Sequence, residues 1–132
     1  MSRTNAGAGR LLIGVYALFA VAAGARAGVQ IGTKFDEAPL AYTLSAVAAV
    51  IYLVAAVGLA RDGAWGRRLA TVCCAVELTG VLAVGTASLA WPDAFPDATV
   101  WSGFGAGYGF VPLVLPVLGL YWLRRTRATA AA

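Results

Sequence analysis

Residues 69–90 read LATVCCAVELTGVLAVGTASLA, an unbroken apolar run whose only ionisable side chain besides two thiols is Glu77. At 1.5 Å per residue, such a run covers the roughly 30 Å of hydrocarbon in a bilayer. In lipid every backbone N–H and C=O must be bonded within its own segment, so the run is expected to be a transmembrane helix. Three more runs of the same kind follow from the same reading: residues 11–31, 40–60 and 102–123. Their connections, 32–39, 61–68 and 91–101, are too short to hold a domain. The expected fold class is therefore all-α, a four-helix transmembrane bundle with antiparallel neighbours, forming one membrane domain over residues 1–132.

Composition agrees with that expectation. The chain is 132 residues long, 61% apolar and only 12% charged, with a mean hydropathy of +0.79. There is too little polar surface to cover a soluble core of this size. The net charge of +4 comes from short basic clusters beside the apolar runs, a pattern that speaks for topology and against nucleic acid. Arg3 and Arg10 precede the first run, Arg61, Arg67 and Arg68 lie between the second and third, and Arg124, Arg125 and Arg127 follow the fourth. The other side carries Lys34 with Asp36, Glu37, Asp93 and Asp97. The positive-inside rule then places both termini in the cytoplasm, in a multi-pass membrane protein. Trp65, Trp91, Trp101 and Trp122 fall near the ends of the runs, where indole rings are expected at the headgroups. Arg3 and Arg10, an apolar run and Ala25-Arg26-Ala27 also fit a signal peptide cleaved after Ala27.

The absence of histidine removes imidazole bases and histidine metal or haem ligands. Cys73 and Cys74 are adjacent, not a C-x-x-C pair, and are expected to be small packing residues. No enzyme activity, catalytic residue, metal or cofactor is expected.

The candidate site is an intramembrane polar one. Glu77 lies about eight residues into its run, roughly 12 Å deep, where a charge costs about 2.5–3.5 kcal/mol. Tyr52 lies at the same depth on the second run and is expected to hydrogen-bond Glu77. Arg26, roughly 22 Å along the first run, either snorkels to the headgroups or turns inward toward Tyr108, Ser45 or Tyr42. It is too far along the membrane normal, by about 10 Å, to pair with Glu77. Gly103, Gly105, Gly107 and Gly109 form overlapping G-x-x-x-G patterns expected to pack the fourth helix closely, and Gly24 and Gly28 repeat the pattern in the first. Pro112 and Pro116 invite a kink in the fourth. Asp93 and Asp97, in a repeated Pro-Asp-Ala, are expected in a solvated outer loop.

Four spans and one membrane carboxylate in a chain of this length resemble the small multidrug resistance transporters in architecture. That family carries its essential glutamate in the first span, whereas here the first span has Arg26 and Glu77 is in the third. The wording of the chain, with stretches such as Phe35-Asp36-Glu37-Ala38-Pro39-Leu40-Ala41-Tyr42 and Gly109-Phe110-Val111-Pro112-Leu113-Val114-Leu115-Pro116, is similar to small four-span membrane proteins of actinobacteria. That resemblance implies the architecture and brings no activity with it. The expected role is packing within the bilayer, as a homo-oligomer or in a larger membrane complex. The alternative is a proton- or ion-coupled carrier of small molecules that uses Glu77.

Overall fold

The computed structural model describes residues 7–61 and 63–131, with side chains described as far as residue 126. Arg3 and the side chain of Arg127, both used in the charge reading, lie outside the described residues. Among the described residues the structure is helical, without strands. The long elements are α1 (Ala8–Lys34), α2 (Pro39–Ala60), α3 (Gly63–Ala90) and α4 (Val111–Ala131). Short 3-10 turns at Phe35–Glu37 and Pro92–Ala94 mark two of the connections, and a longer 3-10 segment, Ser102–Tyr108, precedes α4. Helices α1, α2 and α3 are each long and apolar enough to cross a membrane. Their outward faces carry large apolar side chains such as Leu11, Leu18, Val21, Val50, Leu53 and Leu82, all exposed. A soluble bundle would place charge there, so these helices mark a membrane protein.

The helices outrun the apolar stretches that define them. Helix α3 begins at Gly63, six residues before the apolar run, because nothing in Ala64-Trp65-Gly66-Arg67-Arg68 breaks a helix until the left-handed Gly63 (φ 92°). Its first turns lie backbone to backbone against the end of α2. A Cβ on Gly66 would stand 2.7 Å from the Arg61 carbonyl oxygen and 2.8 Å from that of Gly58, and a Cβ on Gly58 would stand 2.8 Å from the Ala70 nitrogen. Along α1 and α2 the inner faces are small, with Ala23, Ala27, Ala41, Ala48, Ala55 and Ala56 buried. Gly24 rests on Ala49, but Gly28 has nothing within 4 Å of its Cβ position, so only half of that G-x-x-x-G is used in packing.

The fourth run departs from expectation. It is not one helix over 102–123: Ser102–Tyr108 and the helix that follows meet at 98°, and only together are they long and apolar enough to cross the membrane. The backbone gives the reason. Gly103 (φ 59°), Phe104 (φ 62°), Gly105 (φ 85°), Gly109 (φ 65°) and Phe110 (φ 60°) are all left-handed, and a right-handed α-helix cannot pass through them. At the corner, Gly109 N–H donates to Ala106 O at 3.3 Å and Phe110 N–H to Gly105 O at 3.0 Å, the paired bonds of a Schellman stop. Helix α4 then restarts with the N–H groups of Leu113 and Val114 on Phe110 O, both at 3.1 Å. The glycine series is thus a corner and not a helix-packing face. At Gly105 a Cβ would lie 2.9 Å from the Pro112 ring, so glycine is required there for contact as well as for φ.

Candidate intramembrane polar site

Glu77 lies at the midpoint of α3 and is completely buried. Its Oε1 accepts a hydrogen bond from the Tyr16 hydroxyl of α1 at 2.7 Å. The same hydroxyl oxygen is 3.3 Å from Cys74 Sγ. A phenol has one hydrogen, and it is committed to Glu77, so the Cys74 thiol is the donor in the second contact. The order is Cys74 to Tyr16 to Glu77, two helices joined through three side chains. Glu77 Oε2 is buried and has no hydrogen-bond partner. The one ion pair among the described residues, Lys34 with Asp97, lies elsewhere.

The expected Tyr52 bond to Glu77 is not formed. Tyr52 is buried beside the site, its ring 6.1 Å from that of Tyr16, but its hydroxyl accepts from the Trp101 indole Nε1–H at 2.8 Å. Trp101 is therefore not at the headgroups either. It is buried, with its ring against Gly80, where a Cβ would come within 2.7 Å of it. A series of side-chain hydroxyls seats it. Thr99 Oγ1 accepts from Trp101 N–H at 3.0 Å, Ser102 Oγ accepts from Thr99 N–H at 2.9 Å, Ser45 Oγ accepts from Val100 N–H at 3.3 Å and Ser88 Oγ accepts from Gly103 N–H at 2.9 Å. The connection before α4 is thus pinned to both α2 and α3, and it drives an indole into the core.

Helix α4 closes the remaining side with a glycine. A Cβ on Gly119 would stand 2.8 Å from Cys74 Sγ and 3.5 Å from the Tyr16 hydroxyl. Pro116, one turn earlier, is fully buried. Cys73 and Cys74 are both buried free thiols.

No family model, curated protein or solved structure matches the chain. What the site can do must therefore be argued from its own geometry. It offers one carboxyl with a fixed donor on one oxygen and nothing on the other, among a thiol and two phenols. Among the described residues no three metal-ligating side chains of the His, Cys, Asp or Glu type come together.

A second polar group lies further along α1. Arg26 is exposed, and its Nη1 donates to the Tyr108 hydroxyl at 3.1 Å, one of the three inward partners expected for it. The Tyr108 ring lies tilted against Phe19 at 5.8 Å, and Phe19 lies 6.2 Å from Tyr52. Aromatic rings thus fill the distance between Arg26 and the Glu77 site, and the two remain separate. At the end of α1, Asp97 accepts from the Tyr42 hydroxyl at 2.8 Å and from Ala98 N–H at 2.9 Å, and lies 3.7 Å from Lys34 Nζ. The Tyr42 hydrogen bond, aided by Lys34, holds the Asp97 carboxyl below the usual aspartate range. Asp93 is exposed.

Tyr16 is the member that sequence reasoning missed. Counted from the edges of the apolar runs, it is about 4.5 Å shallower than Glu77, an offset that the length of a tyrosine side chain covers.

Proposed function

We propose that this chain is a multi-pass protein of the bacterial cytoplasmic membrane, an antiparallel bundle with both termini cytoplasmic, whose role is packing. It assembles with copies of itself or within a larger membrane complex. The observation that carries this reading is the enclosure of Glu77. Its carboxyl has no exposed surface, and the larger surface hollows lie over outward residues such as Leu78, Val47 and Val50. A buried carboxyl whose Oε1 is bonded to Tyr16 of α1 fixes which helices meet and in what register. The orientation rests on the basic residues Arg10, Arg61, Arg67, Arg68, Arg124 and Arg125, against a side where Lys34 is offset by Asp97.

The test is native mass spectrometry of the detergent-solubilised protein, wild type and Glu77→Gln. A stoichiometric assembly retained in Glu77→Gln supports packing, and dissolution of the assembly into monomer without loss of fold would overturn it.

A second reading is favoured by one specific observation, the unpartnered Glu77 Oε2, in a bundle whose fourth span is bent by 98° between Tyr108 and Val111. Broken helices and midplane carboxyls are the parts from which coupled carriers are built. In that reading Oε2 is the atom on which a transported proton sits. Proton-driven flux in proteoliposomes that is abolished by Glu77→Gln would put the carrier in place of the packing protein.

A further inference from the structure

The basic end of α4 closes a groove that the polar site does not use. Leu78 of α3 with Val117, Leu120, Tyr121, Arg124 and Arg125 of α4 line a hollow of about 670 Å³. A second hollow of about 300 Å³ shares Leu120 and Arg124 and adds Arg67, Thr71 and Leu123. Arg124 therefore stands between two apolar channels with its charge exposed at their common end. Arg67 is committed to the helices themselves, donating through Nη1 to Leu123 O at 2.6 Å and to Thr126 Oγ1 at 3.0 Å. Arg125 Nη1 reaches the Tyr121 hydroxyl at 3.4 Å. Among the described residues no acidic side chain lines either hollow.

The dimensions match half a bilayer. From Val117 to Arg125 is eight residues of helix, about 12 Å, close to the roughly 15 Å that one leaflet contributes to the hydrocarbon. The deep wall is apolar, with Leu78 next in sequence to Glu77 at the middle of α3, and the shallow end holds the side chains of Arg124 and Arg125, neighbours in sequence, with Tyr121. Apolar depth beneath paired cations complements a phosphate attached to an acyl chain.

We propose that the groove between α3 and α4 binds one anionic phospholipid, with its phosphate on Arg124 and Arg125 and an acyl chain along Leu78, Val117 and Leu120. A zwitterionic lipid fills the channel equally well but gains less at the cations. The site is independent of Glu77 and of either reading of function.

The purified protein is delipidated, given phosphatidylglycerol or phosphatidylcholine with the same acyl chains, and the lipids that remain bound are counted by native mass spectrometry. The wild type is expected to retain one phosphatidylglycerol in preference, by roughly fivefold for each arginine. Arg124→Gln with Arg125→Gln removes the preference, and Arg61→Gln keeps it, because Arg61 lines neither hollow. Leu120→Trp, which leaves both arginines in place and fills the channel, lowers occupancy by both lipids. Circular dichroism checks that each variant retains its helix, and Arg124→Lys with Arg125→Lys, which keeps the charge, is expected to retain at least half of the preference. Equal retention of the two lipids overturns the proposal. So does a loss in Arg61→Gln as large as in the double variant, displacement of the lipid by glycerol phosphate alone, or a lipid-free dimer that occupies the groove with a second copy.

Discussion

Tyr16→Phe tests the polar centre most directly. The substitution deletes one oxygen from a site closed to solvent: Glu77 is fully buried, and among the described residues Tyr16 is its one hydrogen-bond partner. Without the hydroxyl, both carboxyl oxygens of Glu77 are unpartnered and the Cys74 thiol loses its acceptor. Leaving a buried polar group unsatisfied costs about 1–3 kcal/mol in soluble proteins. Interhelical hydrogen bonds in membrane proteins average about 0.6 and reach about 1.7 kcal/mol, since the unfolded chain in lipid also finds partners. Because two groups are orphaned at once, the upper part of the membrane range applies, about 1.5 kcal/mol. Unfolding in mixed micelles by titration with sodium dodecyl sulfate measures it. A double-mutant cycle with Glu77→Leu isolates the pair and should give a coupling of about 1 kcal/mol. Tyr52→Phe is also destabilising, because it strands the Trp101 N–H, yet its coupling to Glu77→Leu should be close to zero. Stronger coupling of Glu77 to Tyr52 than to Tyr16 would refute the arrangement described.

Two further outcomes follow from the same contacts. Gly119→Ala drives a methyl group into Cys74 Sγ and should cost about 1–3 kcal/mol as overpacking; adding Cys74→Ala should recover most of that loss in the same unfolding assay, because the sulfur is the atom that must move. Asp97 is held below its ordinary value by Tyr42 and Lys34, so the stability it contributes is present above the unfolded value near 3.9 and is lost as pH falls through the lower folded value. Melting temperatures of wild type and Asp97→Asn should therefore differ at neutral pH and converge in acid, and a difference that persists unchanged at the lowest pH would show that Asp97 acts through something other than its charge.

The membrane character of the chain was legible because it rests on run length and polarity, and α1, α2 and α3 follow from largely apolar runs that no proline interrupts. The fourth run fooled the same reading. Apolar composition does not distinguish a straight helix from a corner, and glycine at every second position fits either a packing face or a series of left-handed residues. What decides between them is Phe104 and Phe110, two bulky residues at positive φ, a conformation that costs about 1–2 kcal/mol for each. Such a cost is tolerated when the surroundings require it. Here Phe104 fills the space left by Gly85, a long-range contact that no local pattern encodes.

The site shows the same limit at the level of a single bond. Depth counting correctly brought Tyr52 to the neighbourhood of Glu77, but depth says nothing of rotation about the helix axis, and two tyrosines were within reach. The choice is made by Trp101. Its N–H needs an acceptor once the indole is buried, and Tyr52 supplies it, which leaves Glu77 to Tyr16. Trp101 in turn is buried only because Thr99, Ser102, Ser45 and Ser88 hold the connection before α4 against α2 and α3. The partner of the carboxyl in α3 is therefore determined by how Thr99 and Ser102, more than twenty residues later in the chain, together with Ser45 of α2 and Ser88 of α3, seat one indole. Read as a sequence, Thr99 and Ser102 are ordinary turn residues, and Ser45 and Ser88 are small polar positions within apolar runs; their effect on Glu77 exists only once the corner at Gly103–Gly105 has turned the chain and the indole is seated on Gly80.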